Sequence, residues 1–263
     1  MLFLKLGGSA ITDKTRQATA HEEVIRRIAQ EVRRVRDAQP ALRLLIGHGS
    51  GSFGHFAAQQ FGFGARGNWR AYAETGASAA RLARLVTDLF LAEGVPVAAM
   101  PPSASARCRD GELVELATTP IQTALAHNLV PLVHGDVAFD ETRGMTIAST
   151  EMLFAYLAPR LKPSRIILAG IVDGVFTADP WRDASARLIR EITPASFPQV
   201  EAQLRGSHGV DVTGGMLAKV KTMLALVQGD PAVRVQILSA TRAGEIEHAL
   251  TREDFDAGTI IHA

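Results

Sequence analysis

Between Gly47 and His55 the chain reads Gly-His-Gly-Ser-Gly-Ser-Phe-Gly-His. Gly49, Gly51 and Gly54 carry no side chain, so their backbone amides lie open to an anion that approaches closely. His55 ends the run with an imidazole, a donor that a bare phosphate cradle does not need. Four other glycine turns punctuate the chain: Gly7-Gly8-Ser9, Gly135-Asp136, Asp173-Gly174 and Asp211-Val-Thr-Gly214-Gly215. Lysines are few beside the arginines, yet Lys5, Lys14 and Lys219 all stand next to glycine turns. Compact ammonium groups suit the negative charge that spreads over the equatorial oxygens of a phosphoryl group in transit. Lys162 and Lys221 read as solvated surface.

Other phosphate-binding patterns bear on the same loop. Gly49-x-Gly51-x-x-Gly54 after an apolar run matches the dinucleotide fingerprint, which wants an acidic residue about 20 positions on, after the next strand. Glu74 has that spacing but falls inside a helical stretch, and the loop does not follow the first strand. No Gly-x-x-x-x-Gly-Lys-Ser/Thr occurs, which excludes a P-loop enzyme. The 263 residues, 47% hydrophobic and 21% charged, can bury a sizeable core. A net charge of +1 offers no basic surplus for nucleic acid or a membrane surface. The single cysteine, Cys108, excludes an internal disulfide framework, suits a reducing compartment and reads as structural. No apolar run approaches the roughly 20 residues of a membrane span, and the opening Met-Leu-Phe-Leu-Lys-Leu reads as a strand rather than a signal segment. The expectation is a cytoplasmic protein.

The elements that must position these residues alternate. Strands are predicted at 2–6, 42–46, 95–99, 129–133, 166–169 and 234–238, with a last one in Gly-Thr-Ile-Ile. Helices are predicted at about 21–37, 69–93, 120–127, 151–161, 215–227 and 244–250. Hairpins fall at 107–114, turning at Asp110-Gly111, and before the helix near 151. Strands separated by helices predict a mainly parallel sheet covered on both faces, a three-layer α/β/α sandwich. In such a sheet the strand ends line one edge, and ligands bind there. The glycine turns divide into two groups about residue 165, which predicts a soft division there within one domain, 1–263.

Lys5-Leu-Gly-Gly-Ser-Ala-Ile-Thr-Asp-Lys14, the His48–His55 loop, His134-Gly-Asp136, Val172-Asp-Gly174, Asp179-Pro180 and Asp211-Val-Thr-Gly-Gly-Met216 together resemble the amino acid kinase superfamily. Ser-Phe-Gly-His and Asp-Val-Thr-Gly-Gly resemble its isopentenyl phosphate kinases most. The resemblance spans nearly the whole chain in order. It implies ATP and Mg²⁺, a homodimer, an acceptor-binding lobe over about 1–165 and a nucleotide-binding lobe over about 166–263, and transfer of a γ-phosphate to a small phosphorylated acceptor, isopentenyl phosphate. Residue by residue it implies that Lys5, Gly7, Gly8, Ser9, Gly51, Gly214, Gly215 and Lys219 face the ATP phosphates, and that Asp173 and Asp179 lie in nucleoside-binding segments. Lys14 would stabilise the transferring group. Ser50, Gly51, Gly54, His55 and Ser149 would hold the acceptor, with Lys5, Lys14, His55 and Lys219 as the catalytic set. The acceptor's tail is expected against the helix after the loop, around Tyr72, Ala79 or Leu82. His48 is expected to be structural.

Two positions depart from the pattern. Ser-Gly-Asp-Asp of such kinases is here Ala148-Ser149-Thr150-Glu151, so Thr150 replaces the first carboxylate and Glu151 is the candidate substitute. Ser50 replaces a glycine and adds a hydroxyl donor. A fosfomycin-type phosphonate kinase of the same superfamily, whose loop also ends in His, and a non-catalytic nucleotide sensor remain the alternatives.

Overall fold

The computed structural model describes residues 1–65, 67–206 and 215–263, the side chains of residues 205 and 206 excepted. In chain order its elements are β1 (Leu2–Leu6), α1 (Gly8–Ile11), α2 (Glu22–Ala38), β2 (Leu44–His48), α3 (Gly51–Phe61), α4 (Trp69–Ala92) and β3 (Val97–Ala99). There follow β4 (Arg107–Arg109), β5 (Glu112–Glu115), α5 (Thr119–Ala126), β6 (Val130–His134), β7 (Asp136–Asp140), β8 (Gly144–Ala148) and α6 (Thr150–Leu161). The remainder comprises β9 (Arg165–Gly170), β10 (Val175–Phe176), β11 (Leu188–Ile189), β12 (Glu191–Ile192), α7 (Phe197–Gly206), α8 (Gly215–Gly229), β13 (Arg234–Ser239), α9 (Glu245–Thr251) and β14 (Thr259–Ile261).

Among the described residues the main sheet has eight strands in the order β12-β14-β13-β9-β1-β2-β6-β3. From β13 to β3 every pairing is parallel, and β14 runs antiparallel to β13. Because side chains alternate across a strand, β1 feeds both layers. Leu2, Leu4 and Leu6 join Ile28 and Val32 of α2, Leu82 and Phe90 of α4 and Ile246 of α9. Phe3 turns the other way, to Phe154 of α6 at 5.0 Å between ring centroids and to the core that includes Val220 and Met223 of α8. This is the expected sandwich. The sheet runs unbroken across residue 165, since β1 lies between β2 and β9. A four-stranded sheet, β5-β4-β7-β8, stands apart, and no helix of the described residues is long and apolar enough to cross a membrane.

The fully buried carboxylate of Glu31 ties α2 to α9. It accepts from the backbone amides of Gly244 at 3.0 Å and Glu247 at 3.1 Å and pairs with Arg27 at 2.8 Å. It thereby caps α9 from outside, on the positive end of the helix.

The structure moves several expected boundaries. β2 runs to His48 rather than Ile46, so Gly47 and His48 belong to the strand. Only Gly49 and Ser50 separate it from α3, which begins at Gly51. His55 therefore lies inside that helix, not at its lip. Gly8 and Ser9 likewise open the single turn of α1. Of the expected tail wall, Ala79 and Leu82 are core residues at 1% and 0% exposure, and only Tyr72 is half-buried. Asp211-Val-Thr-Gly214 lies outside the described residues.

Candidate active site

Three glycine turns meet at one edge of the sheet because β9, β1, β2 and β6 are neighbours in register. Leu6 pairs with both Ala169 and His48, and His48 pairs with His134. The amides just past each strand continue the ladder: Gly7 donates to Ala169 O at 2.7 Å, Gly49 to Leu6 O at 3.0 Å and Gly135 to His48 O at 2.9 Å. The first two turns then touch backbone to backbone. A Cβ on Gly8 would fall 2.7 Å from the amide nitrogen of Gly51 and 2.8 Å from its Cα, so no other residue fits there unless something shifts. Gly51 adopts φ +52°, a left-handed conformation suited to glycine. Thr12, at the end of α1, fastens the pair by donating to Gly8 O at 2.7 Å and accepting from the amide of Ser52 at 2.9 Å. Two helix starts, α1 and α3, thus open side by side.

Lys5 lies on the opposite face of β1 from Leu4 and Leu6, under α6 and α8. It is 7% exposed and donates to Glu151 Oε1 in the first turn of α6. Burial pushes the Glu151 carboxyl up, but the ammonium groups of Lys5 and Lys219 outweigh it and hold the group down to about 2. One carboxylate therefore pairs with one of the three expected lysines, Lys5, and feels the charge of a second, Lys219. Ser149 caps α6 by accepting from the amide of Met152 at 3.2 Å. Thr150 is buried and donates its hydroxyl to His48 O at 2.7 Å, which fixes the start of α6 on the end of β2.

An amino acid kinase family model matches residues 1–239. The chain belongs to the amino acid kinase family. It is 36% identical to the isopentenyl phosphate kinase of Methanothermobacter thermautotrophicus, over 97% of this chain and 96% of that one. It is also 36% identical to the isopentenyl phosphate kinase of Haloferax volcanii, over 93% and 96%. A solved isopentenyl phosphate kinase structure superposes with a TM-score of 0.83 at 32% identity, covering 99% of both chains.

Seen as an amino acid kinase, the chain gathers most of its expected site residues. Lys5, Gly7, Gly8, Ser9, Ser50, Gly51, Ser149 and Lys219 lie at the edge or on elements packed beside it. Gly54 and His55 follow within α3, where a Cβ on Gly54 would collide with the Ser50 hydroxyl. Gly215 opens α8 with φ +63°, while Gly214 is outside the described residues. Lys14 lies in the exposed segment between Thr12 and Ala20, which pair as an isolated bridge. The carboxylates of Asp173 and Asp179 are engaged away from the lysines. Asp173 pairs with Arg242 at 2.5 Å, and Asp179 accepts from the amide of Trp181 at 2.9 Å. Asp136 is also structural, accepting from the amides of Ser103 at 3.0 Å and Val137 at 2.8 Å. Burial pushes the Cys108 thiol up to about 11, which makes it a poor nucleophile. Lys162 and Lys221 pair with Asp230 and Glu201 across the surface.

Three residues outside the expected site set contribute. Thr12 lies inside the Lys5–Lys14 stretch with no role of its own assigned to it, and His48 was expected to be structural. His48 and His134 stack deep under the edge, with ring centroids 5.4 Å apart. Their signal was legible: each ends an apolar strand immediately before a glycine turn.

Proposed function

We propose that this chain is an isopentenyl phosphate kinase, transferring the γ-phosphoryl group of ATP to isopentenyl phosphate to give the diphosphate. The observation that carries the reading is the Lys5–Glu151 pair, within the field of Lys219, beside two glycine turns in backbone contact. A phosphate monoester has its second pKa near 6, so its attacking oxygen is already anionic at neutral pH. No strong base is required; the barrier lies in bringing two anions together and stabilising charge as it moves. Lys5 and Lys219 neutralise the ATP phosphates, and the amides at Gly8, Ser9, Gly51 and Gly215 approach them, while Gly7, its own amide bound to Ala169 O, leaves the backbone beside them without a side chain. Lys14 meets the transferring group. Ser50, Gly54, His55 and Ser149 hold the acceptor phosphate, and Tyr72 lies beside the tail.

The same proposal includes a single domain with two lobes meeting near residue 165, a homodimer and a cytoplasmic location, in line with the family resemblance and the single cysteine. It also includes Mg²⁺. Among the described residues no group of three or more His, Cys, Asp or Glu side chains is placed to hold a metal. The donor set therefore fits the ion as part of a metal–nucleotide complex, whose phosphate oxygens and waters supply most ligands. When bound, it adds positive charge along the phosphates.

The test is turnover with Mg-ATP against isopentenyl phosphate, dimethylallyl phosphate and a phosphonate such as fosfomycin. Isopentenyl diphosphate as the favoured product is expected. Preferred transfer to the phosphonate, or tight ATP binding without transfer to any acceptor, refutes the assignment.

A further inference from the structure

His48 lies where three parts of the site join. Its carbonyl oxygen accepts both the amide of Gly135 at 2.9 Å and the hydroxyl of Thr150 at 2.7 Å. Its ring Nδ1 lies 3.0 Å from the carbonyl oxygen of Gly49, in the turn that leads into α3. A carbonyl only accepts, so this contact assigns the proton to Nδ1. The residue thus connects the Gly49–Ser50 turn, the Gly135 turn and the start of α6, where Glu151 meets Lys5.

The ring is completely buried and neutral. Burial, with His134 alongside, pushes it down to about 3; Lys5 acts in the same direction, while Asp136 and the Gly49 carbonyl oppose it. His134 covers one face of the ring, its plane tilted by 14°. With Nδ1 protonated, Nε2 of His48 is a bare acceptor, and it has no hydrogen-bond partner among the described residues. A phenyl ring keeps the stack and leaves no ring acceptor unmet, but it is larger and gives up the Nδ1–H bond to Gly49.

We propose that His48 is a positioning residue for phosphoryl transfer: through its Nδ1–H bond to Gly49 it fixes the Gly49–Ser50 turn relative to the Gly135 turn and the Lys5–Glu151 pair. The kinetic half of this rests on the reaction proposed above; the anchoring half does not. It differs from the role of His55, since the His48 ring is sealed from any ligand by the strands and α3.

Three substitutions and one spectrum test it in the full chain. His48→Phe should still fold, with a Tm lowered by the larger ring, but lose tenfold or more in kcat. His48→Asn places an amide N–H where Nδ1–H was and should recover to within threefold of wild type. His134→Phe, which keeps the stacking face, should stay within threefold. In ¹⁵N-labelled protein the His48 ring should show the neutral Nδ1–H tautomer throughout pH 5–8. Full kcat in His48→Phe, failure of His48→Asn to recover while folded, or a loss in His134→Phe as large as in His48→Phe overturns the proposal. So does an Nε2–H tautomer, or titration of the ring in that range. A wild-type protein without transferase activity refutes the proposed reaction, and the spectrum alone then decides the anchoring.

Discussion

Replacing Glu151 by Gln removes one charge while nearly preserving shape, and it separates two explanations of the lysine cluster. A carboxyl ordinarily near 4.5 is held to about 2, which at ~1.4 kcal/mol per pKa unit corresponds to roughly 3–4 kcal/mol of stabilisation by the lysines in excess of the cost of burial. The side chains of Lys5 and Glu151 are 9% and 13% exposed, so solvent screening removes little of it. Removing one partner of a buried pair also strands the other charge. A Tm lower by roughly 10 °C at neutral pH is expected for a chain of this size. The sign with pH is fixed. A depressed carboxyl stabilises fully above its unfolded value, and that contribution is lost as pH falls from about 4.5 towards 2. The Tm gap between wild type and Glu151→Gln should therefore narrow over that window, because the protonated wild type resembles the amide. In steady-state kinetics kcat should fall about 100-fold as Lys5 and Lys219 repel each other out of position. KM for ATP should not rise, since a negative charge has left a site for a polyanion. The argument fails if kcat stays within threefold of wild type, or if the Tm gap is constant from pH 7 to pH 3.

Gly8→Ala should cost about 1–3 kcal/mol through overpacking, because its methyl meets the backbone of Gly51 at 2.7 Å; thermal unfolding and KM for ATP, expected to rise, check it. Glu31→Ala strands the amides of Gly244 and Glu247 and takes the carboxylate partner from Arg27, which keeps its bonds to the carbonyls of Ala240 and Arg242; it should cost about 3 kcal/mol, with kcat unchanged in the cold, and unfolding in urea together with turnover at 10 °C tests both. Lys14→Ala should lower kcat and leave both KM values nearly unchanged, because its contact tightens in the transition state. His55→Ala should raise the acceptor KM or lower kcat with ATP binding intact, a split that calorimetry with ATP resolves.

What the sequence made legible was the order of the elements and the chemistry of their ends. Apolar runs of four to six residues located six strands of the main sheet, and their recurrence between amphipathic helices such as α2 required a parallel sheet. The two-residue strands β10, β11 and β12 and the helix α7 carry too little period to be read. The chain's own departures from the family pattern are explained better by the structure. Thr150 gives up a charge but gains a bond to the end of β2, while the longer Glu151 reaches Lys5 from one position further along the same helix turn.

The main misreading, that of the Gly47–His55 segment as one loop, has a single physical origin. The strand extends two residues further than its apolar run, because Gly47 and His48 continue the pairing with Lys5, Leu6, Val133 and His134 although neither is a typical strand former. Once they are counted as strand, the period of two assigns every residue of the edge to a layer. Lys5 and Gly47 face α6, where a Cβ on Gly47 would strike the methyl of Thr150 and the ring of Phe154 at 2.5 and 2.8 Å. Leu6, His48 and His134 face α3 and α4. The lysine half and the histidine half of the site are therefore on opposite faces of the same three strands, and only the glycine turns at the strand ends belong to both. In the proposed reaction both phosphates would therefore meet at the strand ends, over the turns at Gly8, Gly49 and Gly51, which join the two halves.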